Sequence, residues 1–242
     1  MIKKLSIGLF VVAIASGAFF YYYWRQVTKL PEWYVDQPPT HQQTINLQDR
    51  AAIQTTKQEL VNKIETDIQQ QLASQSRDGL SKGQVEVKLN QQELNDLLVT
   101  SIAEKPGSSK LLAAAKGINT TIEDGKIESG VVVNTSEIPV ETLGTSERTV
   151  LQKVLTTFPS LENRDVYIGI EGQPKLENGQ LKFDDNTKIK VGNLSLTLAE
   201  LSQRLGVPQE KIERQLALKL EGFDIRDLEL VDNQVVVKGA VN

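Results

Sequence analysis

The sequence predicts an α+β fold, a twisted antiparallel sheet packed by amphipathic helices and preceded by one transmembrane helix. Three observations carry this reading. The apolar residues switch repeatedly between the 3.6-residue period of a helix and the alternation of a strand. The strand-like runs are joined by Asp-Gly, Asn-Gly and Asp-Asn pairs, which suit tight hairpins and therefore antiparallel pairing. Finally, residues 5–24 contain no charge, and 20 helical residues span about 30 Å of hydrocarbon.

The first 46 residues set the expected organisation. Residues 1–4 form a cytoplasmic tip, 5–24 the membrane anchor, 25–46 a stalk or linker, and 47–242 an extracytoplasmic α+β domain. The anchor ends in Phe19, Phe20, Tyr21, Tyr22, Tyr23 and Trp24, a cluster suited to the membrane–water interface. Ala13-Ile14-Ala15 resembles a signal-peptidase site, so a cleaved leader is the competing reading. With four residues before the span, an inside N-terminus and a translocated domain is the ordinary outcome. Pro38-Pro39 favours an extended stalk, and His41, the single histidine, sits in it without a second ligand at useful spacing.

Each element of the domain follows from its local pattern. Ile53, Leu60, Ile64, Ile68 and Leu72 mark one face of a helix over about 48–73, with Gln, Lys and Glu on the other. Val85, Val87 and Leu89 alternate with Glu86 and Lys88 as a strand with one wet face. Asn90 and Glu93 then fit a capping box, ahead of the helical stripe Leu94, Leu97, Leu98 and Ile102. After Pro106-Gly107, residues 111–117 (LLAAAKG) are expected as a short helical turn. Asp124-Gly125 is expected to join two strands by a type I′ turn.

The second half uses the same vocabulary. Ser146 is expected to open a helix with Val150, Leu151, Val154 and Leu155 inward, closed at Pro159. A strand with Val166, Ile168 and Ile170 on one face follows, then a hairpin around Asn178-Gly179 and a strand over 188–196. Thr197 and Glu200 make a second capping-box pair before Leu201 and Leu205. Gly206 and Pro208 separate that helix from one carrying Ile212, Leu216 and Leu220. A hairpin turning at Asp232-Asn233 ends the chain. The two capped helices are offset by 107 residues and the hairpin turns by 108, a spacing that fits a pseudo-duplicated β-α-β-β unit.

Composition excludes several chemistries. There is no Cys, and the one His lies in the stalk, so cysteine nucleophiles, histidine-based triads, haem ligation by His and the common zinc sites are absent. No phosphate-cradling glycine motif occurs. Beyond residue 36 there are 23 basic and 29 acidic residues, a formal charge of −6, and no Lys/Arg cluster for nucleic acid. Asp184-Asp185 reads as a polar turn. No catalytic residue, metal or cofactor is expected. The feature that leans toward function is the pair of valine runs 131–133 and 235–237, apolar on both strand faces. Val132 and Val236 are therefore the candidate lining of an apolar groove for an acyl chain, the alternative being a strand packed on both sides.

The anchor, the segment VEVKLNQQELNDLL and the run PKLENGQLKFDDNTKIKVGNLSLTL resemble the YpmS-like family of membrane-anchored extracytoplasmic proteins, over roughly residues 80–240. Helix-plus-curved-sheet domains of this kind are more remotely similar to the tubular lipid-binding, BPI-like superfamily, a resemblance that implies lipid binding. The expected function is thus that of a non-enzymatic, membrane-tethered envelope protein binding a lipid or other apolar ligand. The alternative is an anchored structural or assembly protein that binds another protein through its Gln-rich helix or a strand edge. The expected partners are the membrane and either that ligand or that protein.

Overall fold

The computed structural model describes residues 25–35, 47–78, 84–104, 112, 114–177, 180–216, 218–219 and 224–240. The expected span 5–24, Pro38-Pro39, His41, Pro106-Gly107, Asn178-Gly179 and Leu220 lie outside them. Among the described residues no helix is long and apolar enough to cross a membrane. Among the described residues the fold is α+β with every strand pairing antiparallel, but in three sheets and not one.

Helical residues 25–27 lead to a single turn, α1 (Glu32–Val35), and the long α2 (Arg50–Asp78) follows. Next come β1 (Gln84–Leu89), α3 (Gln91–Glu104) and the hairpin β2 (Ala115–Glu123) and β3 (Lys126–Asn134). Helix α4 (Thr145–Thr157) precedes β4 (Asp165–Gly172), β5 (Pro174–Glu177), β6 (Gln180–Phe183), β7 (Lys188–Val191) and β8 (Leu194–Thr197). The chain continues through α5 (Leu198–Leu205), α6 (Gln209–Leu216), β9 (Leu218–Lys219), β10 (Asp224–Val231) and β11 (Gln234–Ala240).

Local chemistry places most boundaries where the sequence puts them. Asn90 Oδ1 accepts from Glu93 N–H while Glu93 Oε2 accepts from Asn90 N–H, at 3.0 and 2.9 Å. Thr197 and Glu200 repeat this reciprocal cap, and Gly206 closes α5 with φ +58°, a left-handed conformation that glycine adopts without a side-chain clash. Asp124 and Gly125 have φ of +51° and +70°, and Asp232 and Asn233 of +49° and +59°, as a type I′ turn demands.

Several expectations are corrected. Ala115, Lys116 and Gly117 belong to β2 and not to a helical turn, because Ala115 and Gly117 pair with Val133 and Val132. Residues 188–196 are two strands, β7 and β8, folded at Gly192 (φ +58°). Val150 is 37% exposed, so α4 packs through Val154 and Leu155. In β4 the burial runs against the expected face: Val166 is buried, Ile168 is 39% exposed, and Tyr167 on the opposite face is buried. The expected linker 25–46 also differs over residues 25–35, which dock on the domain. Val27 is 0% exposed among Phe158, Leu161, Val166, Val191 and Leu196, a burial worth about 1.5–3 kcal/mol.

The strand order explains how the pieces hold together. The sheets read β1-β11-β10, β2-β3-β4-β7-β8 and β5-β6-β9. The strand before each capped helix joins the sheet of the other half's hairpin: β1 pairs with β11, while β7 and β8 extend the sheet of β2 and β3. Between the β1-β11-β10 sheet and the five-stranded sheet, Val87, Leu89 and Val235 meet Ile122 and Ile127, with Leu60 of α2 closing the cluster. A second cluster joins Leu47, Ile53, Val99, Leu112, Ala115 and Ile118. The edge strand β1 is covered by α2, where Gln71 Nε2 donates to the Glu86 carbonyl at 2.6 Å and Glu86 N–H donates to Gln71 Oε1 at 2.8 Å. One side chain thus satisfies both outward backbone groups of Glu86, which blunts an edge otherwise open to pairing.

Candidate functional site

Strand register settles which faces the candidate valines occupy. Val132 pairs with Tyr167, Gly130 with Gly169, and Gly169 with Lys190, so these residues share one face of the five-stranded sheet. Val132 is 0% exposed there. The Tyr167 ring lies over Gly130 and Gly169, where β-carbons would overlap it. Trp33 of α1 meets this ring edge-on at 6.2 Å, and Tyr34 Oη donates to Asp165 Oδ2 at 3.3 Å. Val236, 5% exposed, has Lys88 and Glu229 as its cross-strand neighbours. Both valines are packed, and neither lines any of the three grooves described below.

The densest titratable cluster surrounds Tyr167. Its hydroxyl donates to Glu128 Oε1 at 2.8 Å, and Lys190 Nζ bridges Glu128 at 2.5 Å and Glu171 at 2.7 Å, with Lys126 a further 3.4 Å from Glu171. Burial, then the Glu128 charge and hydrogen bond, push the Tyr167 phenol far up. The hydrogen bond from Lys190 holds Glu171 below the usual carboxylate range. For Lys190, burial works against the charge, but the bonds from both carboxylates outweigh it and raise the ammonium. All three move away from neutrality, the opposite of what proton transfer needs. The cluster ties β3, β4 and β7 together.

Two further carboxylates stand apart. Asp184 sits in the polar turn expected for Asp184-Asp185: it accepts from Gln173 N–H at 3.3 Å and Asn186 Nδ2 at 3.0 Å. Burial alone would raise it, yet these bonds keep it low. Asp96 of α3 is 8% exposed and its Oδ1 has no hydrogen-bond partner among the described residues. Burial, then the Glu93 charge, raise it to about 6. Its carboxylate lines none of the three grooves. Among the described residues, no group of His, Cys, Asp and Glu could hold a metal ion.

The apolar-floored site lies elsewhere, between the first turns of α2 and the end of α3. Leu47, Ile53, Ala103 and Leu112 floor a pocket of about 300 Å3, with Gln48, Arg50 and Gln54 at its rim. Asp49 Oδ1 caps α2 by accepting from Ala51 and Ala52 N–H at 2.9 and 3.1 Å. The Arg50 side chain has no hydrogen-bond or ion-pair partner among the described residues. The pocket's aliphatic floor and its polar rim contribute comparably to the lining, so an occupant would need both an apolar and a polar part. Ile53 was legible as part of a helical stripe; the pocket was not, because Leu47, Ala103 and Leu112 converge only through packing. A larger groove of about 580 Å3 is polar, lined by Asp67, Gln70, Gln71, Ser74, Glu86 and Lys88. A third, of about 340 Å3, has Val150 and Val207 beside Thr145, Thr149, Lys153 and Lys211.

No protein-family model, curated protein or solved structure matches the chain.

Proposed function

We propose that the protein is a non-enzymatic, membrane-tethered envelope module that binds a lipid or other amphiphile, related to the YpmS-like proteins it resembles. The observation that carries this reading is the pocket of Leu47, Ile53, Ala103 and Leu112, whose aliphatic floor and rim guanidinium at Arg50 suit an acyl chain with an anionic head. The apolar run 5–24 is read as the anchor, with the domain outside the cytoplasm. The matched order of strand, capped helix and hairpin in the two halves is read as a pseudo-duplication. The test is extraction of the full chain with its membrane, mass spectrometry for co-purifying lipid, and uptake of a fluorescent fatty acid. Ala103→Phe, which fills the pocket, should cut uptake at least about tenfold, the scale of about 1.4 kcal/mol of binding. Absence of both co-purified lipid and probe uptake in the parent chain would remove the lipid reading.

One observation favours a second reading, in which the ligand is a protein. The polar groove on α2 sets Gln70 and Gln71 beside β1, and Gln71 already holds extended backbone by two hydrogen bonds. A carboxamide-lined groove with both signs of charge, from Asp67 and Lys88, suits an extended peptide. Gln70→Ala and Lys88→Glu should then weaken co-isolation of a specific partner from the membrane fraction while leaving lipid content unchanged.

A further inference from the structure

The strands of the five-stranded sheet all run between two ends, and the N-terminal segment docks on one of them. There, Asn193 N–H donates to the Gln26 carbonyl at 2.8 Å and Asn193 Nδ2 to Gln26 Oε1 at 2.7 Å. Gly192 leaves no room for a β-carbon against the Val27 carbonyl. At the same end, Asn134 Nδ2 donates to Asp165 Oδ1 at 2.8 Å while Tyr34 reaches Asp165 Oδ2. The segment after β3 is pinned there through Thr135, whose N–H donates to the Arg164 carbonyl and whose Oγ1 donates to the Leu161 carbonyl.

Two of the exposed large apolar side chains follow these contacts closely in the chain: Val35, 64% exposed directly after Tyr34, and Val140, 39% exposed five residues after Thr135. Arg25 and Lys29 are exposed on the docked segment itself. Helical residues 25–27 follow immediately on the apolar run 5–24, so Val27 comes three residues after its end. A chain that leaves the bilayer at residue 24 and is locked to Gly192 and Asn193 three residues later has no slack to hold the domain away.

We propose that this end of the sheet, with Val35 and Val140, rests in the headgroup layer of the bilayer. The exposed cations of the segment face lipid phosphates, and one lining residue of the apolar pocket, Leu112, leads into β2 at the same end, where Ala115 pairs with Val133. The turn Asp124-Gly125 lies at the other end, about 27 Å away along a nine-residue strand. The inference rests on the anchored reading above.

Because the chain has no Cys, single-cysteine variants Val35→Cys, Val140→Cys and Asp124→Cys can carry an environment-sensitive fluorophore. The full chain is reconstituted in phosphatidylcholine/phosphatidylglycerol vesicles with a headgroup-level nitroxide lipid. Probes at 35 and 140 should shift to the blue and be quenched several-fold more than the probe at 124. Trp33 in Trp24→Phe, free of any cysteine change, should be quenched likewise. Equal quenching at the three positions, or a blue shift at 35 and 140 without nitroxide quenching, overturns the proposal, the latter by assigning the patch to protein contact. A chain that stays with vesicles through an alkaline wash yet gives those results keeps its anchor and loses this orientation; a chain that is washed off loses both.

Discussion

Gly192 and Val27 interlock: a β-carbon on Gly192 would overlap the Val27 carbonyl oxygen, and Gly192 itself has φ +58°. Gly192→Ala must therefore pay for a left-handed backbone, about 1–2 kcal/mol, and displace the docked segment as well. Thermal unfolding should show at least that loss, and trypsin should cut faster at Arg25 and Lys29. Unchanged cleavage would mean that the segment docks without the turn.

Tyr167 couples β4 to β3 through one ring and one hydroxyl. Tyr167→Phe keeps the cover over Gly130 and Gly169 but removes the bond to Glu128, so it should cost about 1.5–3 kcal/mol, the range for bonds to a charged partner. Tyr167→Ala should cost more, about 3–5 kcal/mol, as for other buried aromatic truncations. Denaturant unfolding separates the two, and equal losses would show that the hydroxyl carries all of the effect.

Asp96 makes stability depend on pH. Its carboxyl rises from 3.8 to about 6 on folding, so the folded chain binds this proton more tightly than the unfolded chain. The penalty is absent below about pH 4, grows as pH rises to about 6, and is complete above it. Two pKa units correspond to about 3 kcal/mol, an upper bound for this site. Asp96→Asn should raise the melting temperature at neutral pH and leave it unchanged near pH 4, while a uniform shift at both would point to packing.

The two capping boxes predict an asymmetry between their partners. Asn90→Ala and Thr197→Ala should each cost about 0.5–2 kcal/mol, whereas Glu93→Gln and Glu200→Gln should cost little because Gln also serves at that position. The backbone bond from Thr197 N–H, then its hydroxyl, hold Glu200 low, so this contribution is present above the usual carboxylate range and is lost as pH falls through the lowered pKa. Helix content measured by circular dichroism against pH would register it.

Val132 and Val236 act as packed residues. Val132→Phe and Val236→Phe should each lose about 1–3 kcal/mol from overpacking, with fatty-acid uptake unchanged per folded molecule. Selective loss of uptake at full stability would return the apolar groove to these strands.

The sequence by itself determined what is decided within a few residues: the α+β class, the Asn90 and Thr197 caps, the stop at Gly206, and the turns at Asp124-Gly125 and Asp232-Asn233. Each cap or turn depends on a side chain bonding backbone within three residues or on a positive φ, and so needs no distant residue to form. Tertiary structure alone decided the rest. The stripe Val166, Ile168, Ile170 has perfect strand alternation, yet Ile168 is left open because the covering clusters reach Val131 on one side and Val191 on the other, whereas Tyr167 is buried by glycines 37 residues earlier and two residues later in the chain. The docking of residues 25–35, the pairing of β1 with β11, and the convergence of Leu47, Ile53, Ala103 and Leu112 likewise join segments far apart in sequence. Periodicity shows that a side chain needs an apolar partner; only the packed chain shows which one, because many partners of similar hydrophobicity compete and shape chooses among them.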